Sequence, residues 1–248
     1  MRKIRYLAVF LVLFAAVIAI ANIDVSIRQG VDGRLRHIHM PLYVKWTQFL
    51  ARHYEYARLA REITAGCRTD EEKALAILEW THDNIRELSA GAPVIDDHVL
   101  NIIIRGYAVP EQFQDVFTTL CSYAGLPAFL EKFYDKEHKA RNFVSLVKIN
   151  GKWRVFDAFY GEYFRKDDGE IASVEDIVND PSLVRGEEVD NVVINGVPYK
   201  DLYYSIDLRQ VRDGITLRPY RQMPLHRIIY ELKKAFGIEK EEAINPLR

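Results

Sequence analysis

The hydrophobic period of the chain changes from helical to extended near Pro127, and that change constrains the fold more than any other feature. Before it, "RGYAVPEQFQDVFTTLCSYAGLP" (residues 105–127) reads as a turn running into an amphipathic helix, with Gly125 and then Pro127 as stop signals. After it, "NFVSLVKINGKWRVFDAFYGEYF" sets Asn150-Gly151 between two β-rich runs, the strongest short-range hairpin signal. Asn195-Gly196 in "DNVVINGVPYKDLYYSIDL" suggests more antiparallel strand material. Helices first and hairpins afterwards imply an α+β domain, with helices packed on one face of an antiparallel sheet.

The remaining helices follow from spacing. Pro41 stands at a helix start, and Leu42, Trp46, Phe49, Leu50, Tyr54 and Leu59 form an apolar stripe that ends at Gly66. Thr69 with Glu72 three residues on reads as a capping box, opening a helix with Leu75, Leu78, Ile85 and Leu88 near helical spacing. Residues 90–104 read as a turn-rich connection. The last helix, in "PLHRIIYELKKAFG", places Leu225, Ile228, Ile229, Leu232 and Phe236 on one side. It is expected to be a packing element, with a membrane-surface role for its Arg227, Lys233 and Lys234 face as the alternative.

The first residues read differently. "MRKIRYLAVFLVLFAAVIAIANID" opens with basic residues and then runs uncharged from Tyr6 to Ile23, the pattern of an export signal. As a helix that run would extend about 27 Å, just short of a hydrocarbon core of about 30 Å. It could anchor the chain in the inner membrane with the rest on the periplasmic side, or be cleaved after Ala21 in a small-x-small context, leaving a secreted protein. The layout expected is a signal anchor or signal peptide at 1–23, a polar tether at 24–40, a folded domain at 41–222, and a C-terminal amphipathic helix and tail at 223–248.

With 248 residues, 49% of them hydrophobic, the chain can bury one good-sized core. The formal net charge of -1, with both signs interspersed, offers no basic face for nucleic acid. Its two cysteines, Cys67 and Cys121, could form one disulfide in an oxidising compartment. Cys121 shares the apolar register of Phe117 and Leu120, however, and a buried thiol is the commoner state there. Neither cysteine has a second Cys or His at zinc-ligand spacing. Asp96, Asp97 and His98 could bind a metal, but contiguous residues seldom converge on one ion, so a helix-start or turn role is expected. His53, Tyr54 and Tyr56, and Trp80 with His82, read as helix packing and surface.

Three blocks resemble the transglutaminase-like superfamily, the papain-related fold in which a Cys starts a helix and a His and an Asp sit on adjacent strands. They are "EEKALAILEWTHDNIRE", "RGYAVPEQFQDVFTTLCSYAGLPA" and "NFVSLVKINGKWRVFDAFYGEYF"; with "FLARHYEYARLAREITAG" they cover residues 49–164. The chemistry of that site needs a thiolate, activated by the helix N-terminus and a neighbouring imidazolium, and a carboxylate that fixes the imidazole.

The resemblance also locates what is missing. The family's turn pattern, R-G-Y-G-x-C-D-Q, laid on "RGYAVPEQ" puts the nucleophile at Pro110, and counting back from Gly125 gives Pro110 again. The histidine place, eleven residues before Trp153, is Asn142, and the aspartate is present as Asp157. Proline fits the first turn of a helix but is no nucleophile, and Asn exchanges no proton near neutral pH. Loss of a nucleophile costs about 10⁶ in turnover, so the resemblance implies a degenerate site with Asp157 as a structural acceptor for Asn142 or a turn.

The expected function is a catalytically inactive module that holds a peptide, a glycan or an envelope protein partner without cutting it, with no cofactor. Its cleft would be lined by the three degenerate positions with Tyr107, Gln112 and Trp153. Two alternatives remain. One is a cysteine-dependent acyl transferase or protease with a relocated Cys121 and His138, or a hydrolysis centred on Asp157. The other is a structural subunit of a membrane complex.

Overall fold

The computed structural model describes residues 2–29, 36–94, 96, 98–135, 137, 140–205 and 222–237. A first helix, α1 (Arg2–Ala21), is followed by an antiparallel pair, β1 (Asp24–Gln29) and β2 (Arg36–Pro41). The expected tether is therefore a hairpin. Its alternation had escaped notice: Val25 faces Met40 and Ile27 faces Ile38, while Asp24, Ser26, His37 and His39 take the other side. The Leu42 amide donates to the Ile23 carbonyl at 2.9 Å, setting the end of α1 beside the start of the next helix.

Among the described residues no helix is long and apolar enough to cross a membrane. The helix stops at Ala21, before the apolar run ends, so its uncharged part from Tyr6 extends about 24 Å against a core of about 30 Å. The side chains of that part, Phe10, Val12 and Val17 among them, are exposed.

Four helices precede the main sheet: α2 (Leu42–Ile63), α3 (Asp70–Asn84), α4 (Val99–Arg105) and α5 (Pro110–Tyr123). The α2 stripe read from sequence is corrected: Trp46, Leu50 and Tyr54 are exposed, and the buried face is Tyr56 and Ala60, with Leu59 and Ile63 packed beside them. Trp46 and Leu50 fall in the first half of α2, whose start lies beside the end of α1. At α3 the capping box is present, the Glu72 amide donating to Thr69 Oγ1 at 3.1 Å and the Thr69 amide to Glu72 Oε2 at 3.2 Å. The connection at 90–104 is not all turn, because Val99 and Ile102 are buried on α4 and Gly106, at φ 69°, closes it.

Two short parallel strands, β3 (Arg86–Glu87) and β4 (Tyr107–Ala108), lead into α5. Pro110 holds the first helical position of α5, where a missing N–H costs nothing. The helix ends in the hydrogen-bond pair of a Schellman motif: the Leu126 amide donates to the Cys121 carbonyl and the Gly125 amide to that of Ser122, with Gly125 at φ 88°.

The main sheet is a meander of β5 (Ala128–Tyr134), β6 (Arg141–Ile149), β7 (Lys152–Asp157) and β8 (Glu162–Tyr163). Asn150 and Gly151, both at positive φ, make the tight turn between Ile149 and Lys152 that the dipeptide required. Strand alternation divides the interior. Val147, Ile149 and Phe156 pack with Phe117, Leu120 and Cys121 of α5 in one core; Val144, Leu146 and Val155 pack in a second.

That second core corrects the expectation of helices on a single face. It is closed by α6 (Val174–Asn179), the short pair β9 (Val193–Ile194) and β10 (Val197–Pro198), and 3-10 turns at Pro181–Leu183 and Tyr199–Ser205. The last helix, α7 (Pro224–Ala235), starts beside α5, where Tyr123 Oη donates to the Gln222 carbonyl at 2.9 Å. Expected to pack, it instead exposes Leu225, Ile228, Ile229 and Leu232.

Candidate functional site

Asp157 ends β7 with no solvent exposure at all, so its charge must be met by protein donors. It is met from both cores. From the α5 side, Gln114 Nε2 donates to Oδ1 at 2.9 Å; from the other, Asn142 Nδ2 and Tyr199 Oη donate to Oδ2 at 3.1 and 2.6 Å. The turn after the strand adds the amides of Phe159 and Tyr160, at 3.0 and 3.4 Å from Oδ1.

These donors are held by their own partners. Gln114 Oε1 accepts from Ser145 Oγ at 2.7 Å and from the Ala158 amide at 3.1 Å, which fixes the orientation of its amide group. Tyr199 Oη lies 2.7 Å from Tyr203 Oη, and Tyr203 is hydrogen-bonded to Asn142. Burial pushes the carboxyl of Asp157 above the usual carboxylate range, and the bonds from Tyr199, Asn142, Tyr160 and Gln114 pull it back. Burial and then the Asp157 charge push both phenols far up, so they stay protonated.

The structure thus brings together two of the three positions that the resemblance singles out. Asn142 and Asp157 bond directly, and Pro110 lies one helical turn before Gln114 on the same face of α5. The Asp157 lone pairs are taken up by fixed donors, and a carboxylate enclosed in this way has no face left for a water to attack from. A hydrolysis centred on Asp157 has no geometric support.

The two cysteines are both free thiols. Cys121 is fully buried in the core on α5, and burial pushes its thiol well up, the opposite of what a nucleophile needs. His138, its suggested partner, lies outside the described residues. Asp97 does too. Asp96 stands two residues before the His98 N-cap of α4, accepting from the His98 amide at 2.9 Å and from Asn101 Nδ2 at 3.1 Å.

Of the three cleft candidates, only Tyr107 is exposed. Gln112 is buried and serves the helix start: its Oε1 accepts from Arg105 Nη2 at 2.7 Å and from the Val109 amide, and its Nε2 donates to the Asp96 carbonyl. By accepting from the Val109 amide it supplies the N3 half of a capping box, the half that does not need a side-chain oxygen at Val109. Trp153 packs edge-on against Phe129 in the second core, ring centres 4.9 Å apart.

One of two open concavities among the described residues is a cleft of about 410 Å³ whose floor is Ile85, Phe113 and Phe159 and whose rim is His82, Glu87, Tyr160 and Glu188. His82 Nδ1 sits 3.2 Å from the Phe159 carbonyl. None of these residues was singled out from the sequence as a binding residue. The signal for Gln114 was available, one helical turn from Pro110. For Tyr199 and Tyr203, in a segment read as strand that forms a 3-10 turn, and for Glu188, in a polar stretch before it, there was none.

The family model of the transglutaminase-like superfamily matches residues 57–158. The LIM and transglutaminase domain protein ltd-1 of Caenorhabditis elegans is 28% identical over 123 residues, covering 43% of this chain and 16% of that protein. Hillarin of Drosophila melanogaster is 26% identical over 192 residues, covering 71% of this chain and 23% of that protein. The chain therefore spans less than a quarter of the length of either. A candidate cysteine protease of solved structure from Cytophaga hutchinsonii is 22% identical, with a TM-score of 0.38 over 42% of this chain and 37% of that one. Over residues 57–158, then, the chain is similar to the transglutaminase-like superfamily.

Proposed function

We propose that this domain is a non-catalytic binding or assembly module, held on the outer side of the inner membrane by its N-terminal segment and retaining a peptide or glycan segment without cleaving it. One observation carries the reading: the Asp157 carboxylate, which in a working site would orient an imidazole, is bonded instead to the Asn142 amide. An amide there shuttles no proton, and Pro110 supplies no sulfur. The fully buried Cys121 speaks against a relocated nucleophile. The exposed apolar side chains of α1 suit a lipid or protein neighbour.

The test restores the chemistry. A Pro110→Cys/Asn142→His double variant should gain a thiol that iodoacetamide alkylates at neutral pH, located by peptide mass spectrometry, while the parent chain shows none at residue 110. Circular dichroism verifies that the variant is folded. A folded variant with an unreactive Cys at position 110 would show that these positions do not form the inherited site. Turnover of an acylated peptide by the parent chain would sink the non-catalytic reading.

The exposed apolar face of α7 favours a second reading, a subunit of a membrane complex. That reading requires a partner to co-purify in detergent and to be lost when residues 1–23 are deleted.

A further inference from the structure

The cleft beside the Asp157 network carries two features that belong together chemically. Its floor is aromatic, with Phe113 and Phe159 at 5.2 Å between ring centres and an interplanar angle of 87°, and Phe159 and Tyr160 at 4.8 Å and 75°. Rings set edge to face in this way pack into a firm apolar floor, suited to an alkyl stem. Its rim carries two carboxylates, Glu87 and Glu188, both exposed, and neither forms an ion pair with a described residue.

The wall is fixed from behind. The Phe159 and Tyr160 amides both donate to Asp157 Oδ1, so the buried network fixes the backbone that carries the two rings. Gly161 continues this wall with φ 69°, and a Cβ there would meet the His82 ring at 2.9 Å, so the turn sits directly against the rim. A pocket held this firmly loses little side-chain freedom when it is filled.

We propose that this cleft binds a cation carried on an apolar stem, an arginine or lysine side chain of a peptide segment, with the stem on Phe113 and Phe159 and the charge between Glu87 and Glu188. Anionic ligands meet two carboxylates, and an uncharged sugar leaves both without a partner. This inference deepens the binding-module reading and rests on it, and it names what the module would hold.

The experiment uses the detergent-solubilised full chain and three probes: the Nα-acetyl methylamides of arginine, lysine and norleucine. Ligand-observed saturation-transfer NMR gives the affinity of each. The arginine and lysine amides should bind saturably and the norleucine amide at least ten-fold more weakly. Glu87→Gln/Glu188→Gln, on two exposed positions, should weaken the cationic probes about ten-fold, and Phe159→Leu should weaken them several-fold. Equal binding of the norleucine amide, or unchanged affinity in the double variant, would overturn the proposal. Hydrolysis of the probe amides, read in the same samples, reports separately on the non-catalytic reading.

Discussion

The Asn142 side-chain amide donates to Asp157 Oδ2 across 3.1 Å, at the junction where the sheet's two cores meet. Tyr199 donates to the same oxygen from the second core, and Gln114 reaches the other oxygen from α5. A buried charge with this many donors is tolerated only while all of them remain, and the network ties the family-type helix to the segment that follows the sheet.

Removing the acceptor should therefore be severe. Asp157→Ala takes the shared acceptor from the buried Gln114, Asn142 and Tyr199 donors, an expected loss of about 3–5 kcal/mol. Tyr199→Phe removes one donor and should cost about 1–3 kcal/mol. Urea denaturation followed by far-UV circular dichroism measures both. A loss within experimental error for Asp157→Ala would mean that the network is not formed in solution.

Cys121 should resist alkylation in the folded protein, because it is enclosed in the core and burial holds its thiol protonated. Mass spectrometry after iodoacetamide should find it modified only once denaturant is added. Rapid labelling of Cys121 under native conditions contradicts this placement.

Gly161 adopts φ 69° against the His82 ring. Gly161→Ala adds both left-handed strain and a clash, and should cost about 1–3 kcal/mol. In a His82→Ala background the clash disappears and only the backbone part remains, so the penalty should shrink without vanishing. An equal penalty in both backgrounds would show that the ring is not where the contact lies.

The start of α3 should respond to acid. The Arg68 and Thr69 amides hold the Glu72 carboxyl below its usual value of 4.5. A carboxyl depressed by folding contributes its stability above the unfolded value, and that contribution disappears as the pH falls through the lower, folded value. Glu72→Gln should then flatten the stability profile below about pH 4.5 and leave its shape unchanged above pH 6. A wild-type profile with no fall in that acid window contradicts the assignment.

Much of this protein is written in short-range signals, and those alone determined the α3 capping box, the Schellman stop at Gly125, the turn at Asn150-Gly151 and the change from helical to extended period. Each depends on residues within a turn of one another, so local backbone geometry decides the outcome. The resemblance placed Asn142 by counting across the β6–β7 hairpin and Pro110 by counting along α5, and the structure brings Asn142 onto Asp157. Tertiary structure decided what those positions do. Gln114, Asn142 and Tyr199 reach Asp157 from 43, 15 and 42 residues away, and no local pattern specifies which donors a buried carboxylate will gather. The same holds for the buried face of α2, for the covered second face of the sheet, and for the cleft. Burial is a property of what packs against a surface, and the chain records that only through the fold.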